Sequence, residues 1–314
     1  MSSKLTVAEI TSTTGVLTLS NQSTLDMSGS TDSFVIPRGT TGDRSGASPS
    51  EGAIRWNDNY KSLEVFDGNY WNTLKTIPSG IVTDGLVVHF DPTNPDCYPG
   101  SGDTFVNLAG VQGQFGQKYG TTSVDTVNGW IDLGSGQDTT NYFSFDKNLI
   151  EGLRSWTLDL WMYIHAGNSI DTFFETGASN DMLFIFENNR TSVQFQNVNP
   201  YNAAYETAIG EAFHFTAVGT PSYLNPTGEG NGTVDFYKNG EYISSIESST
   251  YVDAPATLAR GVIMGQELDS NGGTLDAGQK YRGKFGQIKF YRKPLSPLEV
   301  KQNFLAHKDF YGVS

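Results

Sequence analysis

Residues Val262 to Leu298 read VIMGQELDSNGGTLDAGQKYRGKFGQIKFYRKPLSPL. Within them, Gln266 to Gln279 is an acidic loop in which Glu267, Asp269 and Asp276 supply carboxylates and Gln279 an amide oxygen. Gly272 and Gly273 let the chain fold back so that the two halves of the loop meet. Gly283 to Tyr291 then reads as a strand. Ser296-Pro297-Leu298-Glu299 places a hydroxyl N-cap, a proline in the first turn and a glutamate three residues on. A short helix through about Ala306 is predicted, with Leu298, Phe304 and Leu305 as its buried stripe.

Upstream, the same β rhythm continues. Leu86 to Phe90 reads as a first strand, and Thr157 to Ile164 alternates Leu158, Leu160, Met162 and Ile164 on one face. Met182 to Phe186, Phe213 to Val218 and Thr233 to Tyr237 extend the series, and Asn239-Gly240 signals a type I′ hairpin turn before Tyr242. Composition agrees: aromatics make up 12% of the 314 residues and charged residues 17%, with 35 Gly, which suits short strands joined by tight turns. The expected fold is all-β, a two-sheet antiparallel jelly-roll sandwich over residues 86–314. Residues 77–85 form its linker, with Pro78 and Gly80 as hinge residues.

Residues 1–76 differ, being rich in Ser, Thr and Gly and able to bury little by themselves. In Glu51 to Leu74 the strands AIRW and LEVF flank Asn57 to Ser62, and Asp67-Gly68 turns the chain toward Trp71. Trp56, Phe66, Tyr70 and Trp71 are many aromatics for a small hairpin, and imply burial against another copy or a partner. Pro37, Gly39, Thr40 and Thr41, then Gly52, Ile54, Arg55 and Asn57, then Glu64, Phe66, Asp67, Gly68 and Trp71 follow a short pattern. In these residues the segment resembles a module of bacteriophage tail-fibre and other virion proteins; without that resemblance it reads as a β-hairpin linker.

The loop itself resembles the pentraxin family, and more broadly the laminin-G-like and concanavalin A-like jelly rolls. Gly265, Gln266, Glu267, Asp269, Ser270, Gly272, Gly273, Asp276, Gln279, Gly283, Gly286, Leu295 and Ser296 carry the match without a gap. The resemblance implies one or two calcium ions. Glu267 and Asp269 would bridge them, the Leu268 carbonyl would join the first, and Asp276 with Gln279 would complete the second. Asn180 and Asp181 stand, in reversed order, where the family places an Asp-Asn pair. Calcium takes ~6–8 oxygen ligands, and this set offers only oxygens. The alternative is a set of solvated loop acids around a glycine turn, although clustered carboxylates oppose one another's ionisation. Two departures matter. The strands around Asp159 and Ala217 lack the family's disulfide cysteines, and a choline-accepting surface would retain Phe186 but meet Gln196.

Net charge −14 excludes nucleic acid and anionic membrane as partners of choice. No apolar run reaches the ~20 residues of a membrane span, and Met1 to Ser20 lacks the pattern of a secretory leader. Cys97, the single cysteine, allows no intrachain disulfide. His89, His165, His214 and His307 are scattered along the chain, and no strand carries the paired carboxylates of a glycosidase, so no catalytic residues are expected. The expectation is a non-enzymatic virion protein whose residues 1–76 join it to other virion proteins and to itself as a trimer, while the sandwich meets host glycan through calcium. A capsid-decorating or neck protein with purely structural calcium, and a cellular pentraxin-like lectin, are the competing readings.

Overall fold

The computed structural model describes residues 36–46, 49–59, 62–74, 80–110, 114–136, 140–150, 153–167, 170–176, 183–187, 192–196, 200–221, 232–248, 261–267, 275 and 277–314. The chain divides into two compact units, Met1–Thr76 and Ile77–Ser314. The expected strands appear in both, some with the expected bounds, such as Leu86–Phe90 and Gly283–Tyr291, and others shifted or lengthened.

The first unit contains β1 (Arg38–Gly39), β2 (Ile54–Asn57), β3 (Ser62–Phe66) and β4 (Trp71–Leu74), hydrogen-bonded in that order. β1 lies parallel to β2, with Arg38 opposite Trp56, and the other pairings are antiparallel. A polar centre holds this small sheet. Glu64 is fully buried and takes the Arg44 guanidinium, with Arg44 Nε at 3.2 Å and Asn57 Nδ2 at 2.8 Å. Asp67 closes the β3–β4 turn by accepting from the backbone N–H of Asn69 (2.8 Å) and Tyr70 (2.7 Å). Trp71 leans on Phe66 at 5.5 Å and carries the Arg55 guanidinium at 5.7 Å from its centroid, while Tyr70 is 74% exposed.

The second unit is a sandwich of two eight-stranded sheets. Its strands are β5 (Leu86–Phe90), β6 (Thr104–Val106), β7 (Phe115–Lys118), β8 (Ser123–Asp125), β9 (Trp130–Asp132), β10 (Phe143–Phe145), β11 (Trp156–Ile164) and β12 (Ile170–Glu175). There follow β13 (Leu183–Glu187), β14 (Ser192–Gln196), β15 (Pro200–Ala204), β16 (Ala212–Pro221), β17 (Gly232–Lys238), β18 (Glu241–Ser248), β19 (Val262–Met264) and β20 (Gly283–Tyr291). One sheet runs β15-β14-β13-β12-β19-β10-β7-β6, the other β18-β17-β16-β11-β20-β9-β8 with β5 also paired to β20. The pairings are antiparallel throughout this unit, apart from an isolated parallel bridge between Thr172 and Lys280.

The core lies between the sheets, where Leu158, Leu160, Met162 and Ile164 of β11, flanked in the same sheet by Phe215 and Phe290, face Phe173 and Phe184 of the other. The alternate side chains, Thr157, Asp159 and Trp161, are also buried, because α1 (Pro297–His307) covers the outer face of that sheet. The helix starts on the expected capping box: Ser296 Oγ accepts from Glu299 N, and Glu299 Oε2 accepts from Ser296 N at 2.8 Å. Its buried residues differ from the expected stripe. Val300, Asn303 and Phe304 face inward, whereas Leu298 and Leu305 are 48% and 39% exposed. The reason is polar: Asn303 donates to Asp159 (3.0 Å) and Tyr291 (2.9 Å) and accepts from Val82 N (2.8 Å), which fixes the rotation of the helix. The Asn239-Gly240 turn has φ of 54° and 75°, as a type I′ turn requires.

Candidate functional site

The acidic loop leaves β19 at Gly265, whose φ is +92° and whose Cβ, if present, would sit 2.1 Å from Leu133 Cδ1. Only glycine fits both demands. Gly265 N donates to Phe173 O at 3.2 Å, and Gly265 O accepts from Tyr281 N at 3.2 Å, so the two ends of the loop are tied together at its base. Glu267 and Gln279, each two residues inside that tie, are both partly exposed and open the loop on either side; Ala277–Gln279 forms a 3-10 turn.

Beneath them the sandwich is polar. Gln266, Asp171, Thr172, Glu175 and Lys280 are buried, and Lys280 Nζ donates to Leu133 O at 3.1 Å. Tyr281 stacks on Phe285 at 5.0 Å and donates its hydroxyl to Tyr163 O at 3.0 Å. Of the expected calcium ligands, Glu267 and Gln279 are therefore placed. Leu268, Asp269, Asp276, Asn180 and Asp181 lie outside the described residues. Among the described residues no group of three or more His, Cys, Asp and Glu side chains is set to hold a metal. The two placed donors, both with oxygen atoms on a tethered loop, fit a hard cation. Phe186 belongs elsewhere. It is fully buried, stacked on Phe173 at 4.6 Å and close to Tyr205 and Phe213, so its ring is part of the core and offers no surface to a ligand.

A second polar centre lies under α1. Asp159 on β11 has no exposed surface, and its Oδ1 meets Lys289 Nζ at 2.8 Å and His214 Nε2 at 3.0 Å. Its Oδ2 accepts from Thr216 Oγ1 at 3.2 Å and Asn303 Nδ2 at 3.0 Å. Burial opposes ionisation of this carboxyl, but the His214 and Lys289 charges outweigh it and hold Asp159 below the usual carboxylate range. His89 lies opposite Lys289 in the β5–β20 pairing, and His307 shares Gln287 Nε2 (2.9 Å) with Asp91 (2.8 Å). Three of the four histidines scattered along the sequence thus gather on one sheet face. The pair His214–Asp159 is fully enclosed and cannot meet a substrate. Sequence reasoning missed this centre. Its signal was a lone charge inside an otherwise apolar strand, Asp159 in TLDLW and Lys289 in IKFY.

Asp159 and Thr216 are opposite residues on adjacent strands, as are Leu158 and Ala217. The two strands that lack the cysteines thus adjoin, and the β11–β16 pair is linked by the Asp159 network.

Comparison with known proteins follows this geometry. The chain matches the Pentaxin family over residues 135–312, more than half its length, and belongs to that family. No curated protein matches it in sequence. Among solved structures, the receptor-binding domain of botulinum neurotoxin C/D mosaic serotype is similar at 13% identity and TM-score 0.52, over 74% of this chain and 55% of that one. The botulinum neurotoxin type G receptor-binding domain is similar at 12% identity and TM-score 0.50, over 73% and 54%. A heptameric SAP-like pentraxin from Limulus polyphemus aligns at 16% identity and TM-score 0.34, over 48% and 69%. The chain spans about half the length of the neurotoxin domains, and that likeness carries the fold alone.

Proposed function

We propose that the protein is a calcium-dependent, lectin-like binding module of a bacteriophage virion, without enzymatic activity, that attaches to host surface glycan. The observation that carries the reading is the loop base: Gly265 and Tyr281 are tied, and Glu267 and Gln279 open from that tie within the span that matches the Pentaxin family. Glu267, the Leu268 carbonyl, Asp269, Asp276 and Gln279, with Asn180 and Asp181, would hold the ions. A bound divalent cation supplies a Lewis-acidic point to which vicinal hydroxyls can add as ligands. The similar solved structures include receptor-binding domains, which agrees with a display role.

The virion part rests on the first unit. Its Arg44, Asn57, Glu64 and Asp67 make a self-contained polar sheet, while Tyr70 and Ile54 stay exposed, as an anchoring module joined to copies of itself or to other virion proteins would need. A trimer is the expected assembly.

A glycan array and a host-cell adsorption assay, each with millimolar calcium and with chelator, test the reading. Calcium-dependent signal on defined glycans is expected, and calcium-insensitive adsorption overturns it. Glu267→Gln should abolish the calcium-induced rise in melting temperature, which is measurable by calorimetry.

A further inference from the structure

Tyr163 is the last outward-facing residue of β11, at the edge of a cleft of 530 Å³. Trp130 and Tyr311 pack at 4.7 Å to form its floor, and Trp130 meets the edge of Tyr163 at 6.1 Å. Gly210 and Glu211, leading into β16, form one wall, and Asn239 of the β17–β18 turn forms another. The volume falls within the ~300–1,000 Å³ of small-ligand sites.

Among the polar groups at this cleft, the Tyr163 hydroxyl, the Glu211 carboxylate and the Asn239 amide nitrogen have no hydrogen-bond partner among the described residues. Asn239 is held rigidly, since its Oδ1 accepts from His214 N and its backbone N–H donates to His214 O, each at 2.9 Å. Its orientation is therefore fixed before any ligand arrives. Glu211 is exposed on the rim and Tyr163 half-buried beside Gly210.

An acceptor, a donor and a hydroxyl that can do either, converging on one cleft, match a molecule with alternating hydroxyls. An anionic ligand would meet Glu211 and a chain of net charge −14. An apolar peptide anchor would find little ring surface, because Trp130 and Tyr311 are each only 8% exposed. We infer that this cleft is a second, calcium-independent site for a neutral saccharide, on the helix-bearing side of the sandwich. The inference stands on the cleft alone and does not require the loop to bind anything.

The test uses the full chain in chelator on an array of neutral and sialylated oligosaccharides, followed by titration of the strongest neutral binder. Neutral oligosaccharides should bind in chelator, and Glu211→Ala and Tyr163→Phe should each weaken that binding by roughly tenfold with an unchanged melting curve. No neutral binding in chelator, or wild-type affinity in both folded variants, overturns the inference. Signal that resists chelator in a protein showing no calcium-dependent binding supports the cleft and refutes the loop reading, so the two fail separately.

Discussion

Beneath α1 and at the base of the β19–β20 loop, the sandwich buries charge in two different ways. Under the helix, Asp159 is met by Lys289, His214, Thr216 and Asn303, so the chain supplies every partner that the carboxylate needs. At the loop, Asp171, Glu175 and Lys280 are buried, while Glu267 and Gln279 stay partly exposed on either side of the loop base. One centre is closed by side chains of its own fold. The other leaves two oxygen-bearing side chains at the surface, where the proposed calcium site would use them. The difference separates a closed, structural use of buried charge from an open one that the proposed calcium site would put to use.

The sharpest way to break the contrast is Lys289→Met, which strands Asp159 in the interior with reduced compensation. We expect a loss of about 3–5 kcal/mol in chemical denaturation, and calcium should not restore it. Gly265→Ala attacks the other centre, where the new methyl group meets Leu133 and the backbone is forced into an unfavourable φ. The expected cost is roughly 1–3 kcal/mol, accompanied by loss of any calcium-induced shift in melting temperature.

Acid sharpens the comparison further. Burial, with the Lys289 ammonium nearby, pulls the imidazoles of His89 and His307 down from 6.5 to about 4. Both are neutral in the fold and take up protons on unfolding, so their contribution is complete above about 6.5 and is lost as pH falls toward about 4. Urea denaturation in chelator between these values should show stability falling with pH, and a flat profile would count against the closed centre. The smallest effect belongs to the helix cap: Ser296→Ala should cost about 1 kcal/mol in the same assay and leave calcium binding alone.

Much of the sandwich was legible in the chain. The alternation of Leu158, Leu160, Met162 and Ile164 predicted their common face, and Asn239-Gly240 and Ser296 to Glu299 announced a turn and a cap whose chemistry is local. The outer face of β11 was not legible, because strand periodicity assigns Asp159 and Trp161 to solvent until the helix is known to cover them. The helix stripe failed for the same reason. Asn303 is buried by partners far away in sequence, at Val82 and Asp159, which no helical period reveals. Phe186 shows a further limit: its ring fills the core between the sheets, a fact that depends on long-range packing.

The single cysteine has a practical consequence. Cys97 has no exposed surface, its Sγ accepts from Asp91 N at 3.3 Å, and burial pushes its thiol up to about 12. Such a thiol carries almost no thiolate near neutral pH and reacts sluggishly with maleimides or iodoacetamide. A cysteine introduced at an exposed site, such as Ser101 or Tyr242, would then be the one reactive handle on the native chain. Fluorophores or spin labels could be attached there without first removing Cys97.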